Sequence, residues 1–175
     1  MPDASLQDIK EFLGVKRLAV VGVSRDEKHF SRAVFREFVA KDYDAVPVNP
    51  QATEIEGRRC FPRISDVTPA VEAALLMTPP AATDQALSEC NQVDIRKIWL
   101  YKVQPGLEAH EHAVEFTRRR GATVIEGYCP FMFLPHPQLF HRLHRFCMKV
   151  VGNYPHQLAG CPVEDSWCRP RPLNS

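Results

Sequence analysis

The fold of this chain is decided by a short stretch near its N-terminus, LAVVGVS at residues 18–24, with a further hydroxyl residue at Ser31. Four consecutive apolar residues are typical of a strand buried on both faces, and the glycine after them predicts a tight turn. Residues 31–39 then carry apolar side chains at helical spacing, so a helix follows the loop. Backbone N–H groups at the positive end of a helix dipole favour an anion, and a phosphate is the natural ligand.

The rest of the chain continues to alternate between strands and helices. Apolar runs of strand length lie at residues 45–48, 73–77, 98–101 and 122–125. This order predicts an α/β fold of the Rossmann-like, doubly wound kind, with a mostly parallel sheet covered on both faces. Its ligand should lie beyond the carboxyl ends of the strands. The residues expected to converge there are Gly22, Asn49, Thr78, Tyr101 and Gly127.

Local signals predict where individual helices begin and end. Ser5 and Asp8 resemble a capping box at the start of an N-terminal helix. Thr83 or Asp84 is predicted to cap the helix that carries Cys90. Gly121, after three arginines, is predicted to end the last helix of the sheet domain.

We predict one domain over residues 1–152, followed by a C-terminal arm or partly disordered tail over residues 153–175. With 175 residues, 45% of them hydrophobic, the chain is long enough for one buried core. Apolar spacing over residues 137–151 predicts a C-terminal amphipathic helix packed as an appendage. After it the sequence is proline-rich and aperiodic.

The composition argues against several classes of partner. The net charge of +1 gives no attraction to nucleic acid or to a membrane surface. No apolar run approaches the roughly 20 residues of a membrane helix, and the first residues do not form an export signal. The six cysteines are scattered without a C-x-x-C pair, which favours reduced thiols. We therefore expect a cytoplasmic protein without a nucleic-acid or membrane partner, and a homo-oligomer is compatible with this composition.

The loop departs from the dinucleotide fingerprint G-x-G-x-x-G, which uses three glycines and an acid after the second strand. Here one glycine is present, and the second strand ends in VNP at residues 48–50. Both departures disfavour NAD. Arg25 is able to meet the additional phosphate of NADP, although it lies in the loop and not after the second strand. An NADP-linked oxidoreductase is therefore kept as an alternative.

An ordered set of short motifs resembles a known family. The motifs are VGVS at 21–24 with Ser31, PVNP at 47–50 after Tyr43, EIEG at 54–57, IW at 98–99 and YCP at 128–130. In this order, residues 16–130 resemble the small CoA-binding domain proteins, which are similar to the nucleotide-binding domain of the succinyl-CoA synthetase alpha subunit. The resemblance implies CoA or acyl-CoA as the cofactor.

The resemblance also implies which residues form the cofactor site. Around the CoA phosphates it places the loop residues Gly22, Val23, Ser24, Arg25 and Ser31. Near the adenosine it places Val48, Asn49 and Pro50, with Thr78 and Pro79 at the other edge of the nucleotide. Serine hydroxyls, backbone N–H groups and a guanidinium all suit phosphate oxygens. Cys129 follows a strand end near the expected cleft, where it is either a reactive thiol or a packing residue.

No catalytic residue and no metal ligand is assigned. The chain has no G-x-S-x-G and no recognisable serine, histidine and acid arrangement, and Glu54 and Glu56 are interpreted as solvated turn residues. In the series His141, His144 and Cys147 the side chains drift around a helix, which disfavours a metal site. The sequence thus favours a CoA-binding module over an enzyme. A protein-interaction module with an empty pocket is the remaining alternative.

Overall fold

Strands and helices alternate along the chain in the computed structural model, which describes residues 4–101 and 108–134. The strands are β1 (Arg17–Val21), β2 (Asp44–Val48), β3 (Glu54–Ile55), β4 (Arg58–Arg59), β5 (Ala73–Leu76), β6 (Lys97–Leu100) and β7 (Thr123–Glu126). The helices are α1 (Leu6–Leu13), α2 (Phe30–Ala40), α3 (Pro80–Gln92) and α4 (Glu108–Arg119). Short 3-10 turns lie at Ile64–Asp66 and Pro130–Met132.

Five of the strands form one parallel sheet in the order β2-β1-β5-β6-β7, and β3 and β4 form a small antiparallel hairpin. At the carboxyl edge of the sheet, Val21 of β1 is paired with Val48 of β2 on one side and with Leu76 of β5 on the other. The strand order reverses at β1, so the switch point of the sheet lies between β1 and β5. The predicted α/β, Rossmann-like fold with a parallel sheet is confirmed.

The sheet is buried on both faces. On one face Leu18 and Val20 pack with the core side of α1 and α2, which includes Phe12 and Phe35. On the other face Ala19 and its neighbours pack with the core side of α3 and α4. Because alternate residues of β1 enter different cores, the strand has to be apolar throughout. This explains why the run at residues 18–21 decides the fold.

Two of the predicted helix ends agree with the structure and one does not. Ser5 and Asp8 form the capping box: Ser5 Oγ accepts the Asp8 N–H at 3.1 Å, and Asp8 Oδ2 accepts the Ser5 N–H at 2.8 Å. Helix α4 ends before Gly121, which has φ +85°. The prediction that Thr83 or Asp84 caps α3 is wrong. The helix begins one turn earlier at Pro80, because proline lacks the N–H that a first helical residue leaves unpaired.

The predicted C-terminal helix at residues 137–151 and the arm at 153–175 lie outside the described residues, together with His141, His144 and Cys147. Over the two ranges that are described, none of the helices combines the length and apolar character needed to cross a membrane.

Candidate functional site

The carboxyl ends of the five parallel strands bring the expected residues to one edge of the sheet. Four of the five strands, β1, β5, β6 and β7, are followed by a residue whose N–H donates to the neighbouring strand. Gly22 donates to Val48 O at 2.9 Å, and Met77, just before Thr78, donates to Val21 O at 2.8 Å. Farther along the edge, Tyr101 donates to Leu76 O at 3.1 Å and Gly127 to Leu100 O at 3.2 Å. The loop after β1 therefore starts at the switch point of the sheet.

Gly22 allows the chain to cross the end of β5 in direct contact. Its φ is +85°, a conformation that glycine adopts without steric cost. A Cβ built at this position would lie 2.9 Å from the carbonyl oxygen of Met77 and 3.1 Å from Thr78 Cγ2. No side chain fits there, so the glycine is required by the backbone before any ligand is considered.

Two serines hold the loop between β1 and α2 in shape. The Ser24 N–H donates to Ser31 Oγ at 2.9 Å, and Ser24 Oγ accepts the Asp26 N–H at 3.1 Å. Ser31 is wholly buried, and its Oγ also lies 2.8 Å from Nδ1 of His29, the residue that caps α2. The hydroxyl of Ser31, in the first turn of α2, therefore binds the backbone at the start of the loop. Its contact with a phosphate, and that of Ser24, stay predictions.

The outer side of the same loop presents unpaired backbone donors. Within the described residues, the N–H groups of Arg25, Glu27 and Phe30 donate to no protein acceptor. Arg25 is also exposed, whereas Val23 is wholly buried in the core beneath the loop. Free N–H groups in the loop before α2 and at its first residue, together with the helix dipole and a neighbouring guanidinium, form an arrangement suited to an anion.

An ion pair between the buried Arg32 and Glu56 was missed by sequence analysis. The side chain of Arg32 is only 8% exposed, and its Nε donates to Glu56 Oε1 at 2.8 Å. Arg36 donates from Nε to the same oxygen at 2.7 Å. Hydrogen bonds from Arg36 and Arg32 lower the pKa of Glu56 against the opposing effect of its partial burial. Glu56 is an exposed turn residue, as expected, but its carboxylate is paired with both arginines, which the sequence did not predict.

The sequence offers one signal for this pair. Glu56 precedes Gly57 in a two-residue turn between β3 and β4, and both residues have positive φ, at 52° and 67°. Such a turn fixes the direction of its side chains. Only the tertiary structure shows that the Glu56 side chain contacts Arg32 and Arg36 of α2. Arg32 directly follows Ser31, but arginine side chains are mostly exposed, so the sequence gives no indication that this one is buried.

The turn after β2 is tied to the loop after β1. Asn49 Nδ2 donates to Val23 O at 2.7 Å, and Asn49 Oδ1 accepts the Gln51 N–H at 2.8 Å. Val48 is buried, while Pro50 is exposed beside it. The amide of Asn49 thus already joins two loops of the site. The contacts of these residues with an adenosine stay predictions.

On the opposite side of the switch point, Thr78 and Pro79 connect β5 to α3. Thr78 Oγ1 lies 2.8 Å from Oγ1 of the buried Thr83, which also donates to Pro79 O at 3.1 Å. Pro79 is exposed after the carboxyl end of β5. These bonds fix the second wall of the site, and its contact with a nucleotide stays a prediction.

Cys129 lies beside aromatic residues at the carboxyl ends of β6 and β7. Burial raises the pKa of its thiol, although the backbone N–H groups of Phe131 and Met132 act in the opposite direction. Burial, and in smaller part Cys129, also raises the pKa of Tyr101, whose ring stacks on that of Phe30 with 5.0 Å between centroids. A raised pKa keeps the thiol protonated at neutral pH, which favours the packing interpretation of Cys129.

Across residues 4–101 and 108–134, no three His, Cys, Asp or Glu side chains are grouped to hold a metal ion. The candidate site offers a glycine turn, backbone donors, hydroxyl groups and the exposed guanidinium of Arg25.

A parallel, doubly wound sheet with a loop at its switch point places this domain in the Rossmann-like α/β class. Residues 16–135 match the family model described as the CoA binding domain, so the chain belongs to this CoA-binding domain family. The resemblance drawn from the sequence motifs is confirmed.

Two acetate–CoA ligases are similar in sequence to this chain. The acetate–CoA ligase (ADP-forming) II subunit alpha of Pyrococcus furiosus is 23% identical over 137 residues, which are 73% of this chain and 30% of the ligase. The acetate–CoA ligase (ADP-forming) II of Archaeoglobus fulgidus is 30% identical over 123 residues, 67% of this chain and 18% of the ligase. The chain therefore spans less than a third of the length of either enzyme.

Among solved structures, a conserved hypothetical protein from Pyrococcus furiosus superimposes with a TM-score of 0.57 at 26% identity. The match covers 65% of this chain and 95% of that protein. A protein of domain size thus shares the same fold.

Proposed function

We propose that this protein binds CoA or an acyl-CoA at the switch point between β1 and β5, with the loop from Gly22 to Ser31 holding the cofactor phosphates. The observation that carries the proposal is the set of N–H groups at Arg25, Glu27 and Phe30 that donate to no acceptor among the described residues; they lie in the loop before α2 and at its first residue, within a CoA-binding domain. Each N–H suits a phosphate oxygen, and the helix dipole has the matching sign.

The two walls of the cleft supply the remaining contacts. In the proposal, Val48, Asn49 and Pro50 border the adenosine, while Thr78 and Pro79 border the nucleotide from the side of α3. Cys129 lines the far end as a packing residue. This assignment is supported by the hydrogen bond between Asn49 and Val23, which joins the adenosine side to the phosphate loop.

Arg25 is the charged group proposed to meet the phosphates. No protein partner holds its guanidinium among the described residues, so it is available to a ligand. Hydrogen bonds to charged groups contribute about 1.5–3 kcal/mol, which corresponds to a change in dissociation constant of roughly 10-fold or more.

For this chain we propose cofactor binding in the cytoplasm. The part shared with the relatives named as acetate–CoA ligases is 30% and 18% of their lengths, so the proposal covers binding by this domain alone. A nicotinamide cofactor is not favoured, because β2 ends in Val48, Asn49 and Pro50 and not in the acid that binds a ribose hydroxyl.

The proposal is tested by native mass spectrometry of the purified protein followed by calorimetric titration with CoA, NAD and NADP. We expect binding of CoA, at least 10-fold weaker binding to Arg25→Gln, and an unchanged melting temperature in that variant. The matched control is Arg63→Gln, an exposed arginine that pairs with Asp66 away from the loop. Binding of a nicotinamide cofactor alone, or equal CoA affinity of Arg25→Gln and wild type, contradicts the proposal.

A further inference from the structure

Arg32 is unusual among the charged residues of this domain because it is buried and yet bonds to the backbone of the loop. Its Nη1 lies 3.3 Å from Ser24 O and 3.5 Å from Arg25 O. Its Nε and Nη2 donate to Glu56 Oε1 at 2.8 and 2.5 Å. One guanidinium therefore joins the hairpin β3–β4 to two consecutive carbonyl groups of the loop.

The hydrogen bonds from Arg32 to the loop carbonyl groups determine which way the Arg25 N–H points. A trans peptide is planar, and its C=O and N–H point in opposite directions. Since Ser24 C=O faces Arg32 behind the loop, the N–H of the same peptide, which belongs to Arg25, faces the other way. This is one of the N–H groups that donate to no protein acceptor within the described ranges.

Glu56 holds Arg32 in this position. Its carboxylate lies in the turn between β3 and β4, and Oε1 accepts from both Arg32 and Arg36. Arg36 adds a third carbonyl contact, from Nη1 to Glu27 O at 3.1 Å. Because a buried guanidinium is costly without a charged partner, the ionised carboxylate of Glu56 is required for Arg32 to remain behind the loop.

We propose that Arg32, fixed by Glu56, is a positioning residue that orients the Arg25 N–H toward the phosphates of the bound cofactor. The inference rests on the proposed CoA site. Arg32 touches no phosphate itself and acts only through the peptide between Ser24 and Arg25. A lysine cannot replace it, because one ammonium lacks the planar fork that reaches a carboxylate and two carbonyl groups together.

The test compares wild type with Arg32→Lys, which keeps the charge, by calorimetric titration with CoA and by ¹⁵N–¹H NMR spectra of the Arg25 amide. We expect Arg32→Lys to bind CoA at least 10-fold more weakly. At saturating CoA, the shift of the Arg25 amide should fall to less than half of its wild-type value. The matched control is Arg119→Lys, an exposed arginine paired with Glu115 on α4, and it should behave as wild type.

The outcomes separate the inference from the function on which it rests. If wild type shows neither heat nor shift with CoA, the proposed site fails and the inference fails with it. If wild type binds CoA and Arg32→Lys binds equally well, or binds weakly with a full Arg25 shift, only the inference is overturned.

Glu56→Gln tests the same inference with Arg32 in place, and it replaces Arg32→Lys if that variant does not fold. The neutral amide has nearly the shape of the carboxylate but cannot balance the buried guanidinium. We expect weaker CoA binding and a reduced shift of the Arg25 amide. Wild-type affinity and a full shift in Glu56→Gln overturn the inference.

Discussion

Replacing Gly22 by alanine should destabilise the fold through a backbone contact. The residue has φ +85°, where an L-amino acid costs about 1–2 kcal/mol. In addition, the new Cβ would lie 2.9 Å from Met77 O, a main-chain atom of the sheet edge that cannot rotate away. Overpacking of this kind costs roughly 1–3 kcal/mol. The expected loss in the free energy of unfolding is therefore about 2–5 kcal/mol.

The matched control is Gly127→Ala. Gly127 also follows a strand of the same sheet and has φ +77°, but a Cβ there meets nothing within 4 Å. Only the conformational cost applies, so the two variants should differ by about 1–3 kcal/mol. Urea unfolding followed by circular dichroism measures this difference, with m about 1–3 kcal/mol/M. Equal midpoints for the two variants would refute the argument that β5 excludes a side chain at Gly22.

Two further predictions concern titratable groups. Hydrogen bonds from Arg36 and Arg32 lower the pKa of Glu56 in the folded state. The stability that its carboxylate contributes is therefore fully present above the unfolded-state pKa of about 4.3. This contribution disappears as the pH falls through the lower, folded-state pKa. The difference in melting temperature between wild type and Glu56→Gln should therefore be largest near pH 7 and shrink below about pH 4; a difference that is constant from pH 7 to pH 3 contradicts this origin. Burial, with a smaller effect of Glu89, raises the pKa of Cys90 to about 12, so iodoacetamide at pH 8 should leave Cys90 unmodified in the native protein and label it after unfolding. Labelling of native Cys90 at the denatured rate, seen by peptide mass mapping, contradicts the burial of this thiol.

The alternation of strands and helices could be predicted from the sequence because each strand of the parallel sheet is apolar on both faces. Residues 18–21 show this clearly, since alternate side chains enter the two cores. Capping at Ser5 was also predictable, because the residues involved are three apart in the chain. The start of α3 was not, since Thr83 and Asp84 are common capping residues, whereas the helix begins at Pro80 without a side-chain cap.

The parts of the site that sequence analysis missed depend on contacts between distant segments. Arg32 and Glu56 are 24 residues apart, and only the packing of a short hairpin on α2 brings them together. Likewise, Ser31 and Asn49 carry the right groups for a ligand, yet their polar atoms bond to the loop itself. Residue type identified the loop, whereas the tertiary structure shows which of its polar groups are already hydrogen-bonded within the protein.

The central claim is tested most directly by adding CoA to ¹⁵N-labelled protein and recording which backbone amides shift. The account predicts that the largest shifts occur at Arg25, Glu27 and Phe30, the unpaired donors of the loop. Shifts centred instead on the groove beside β2, where Arg58 and Arg59 lie, or no shift at saturating CoA, would contradict it.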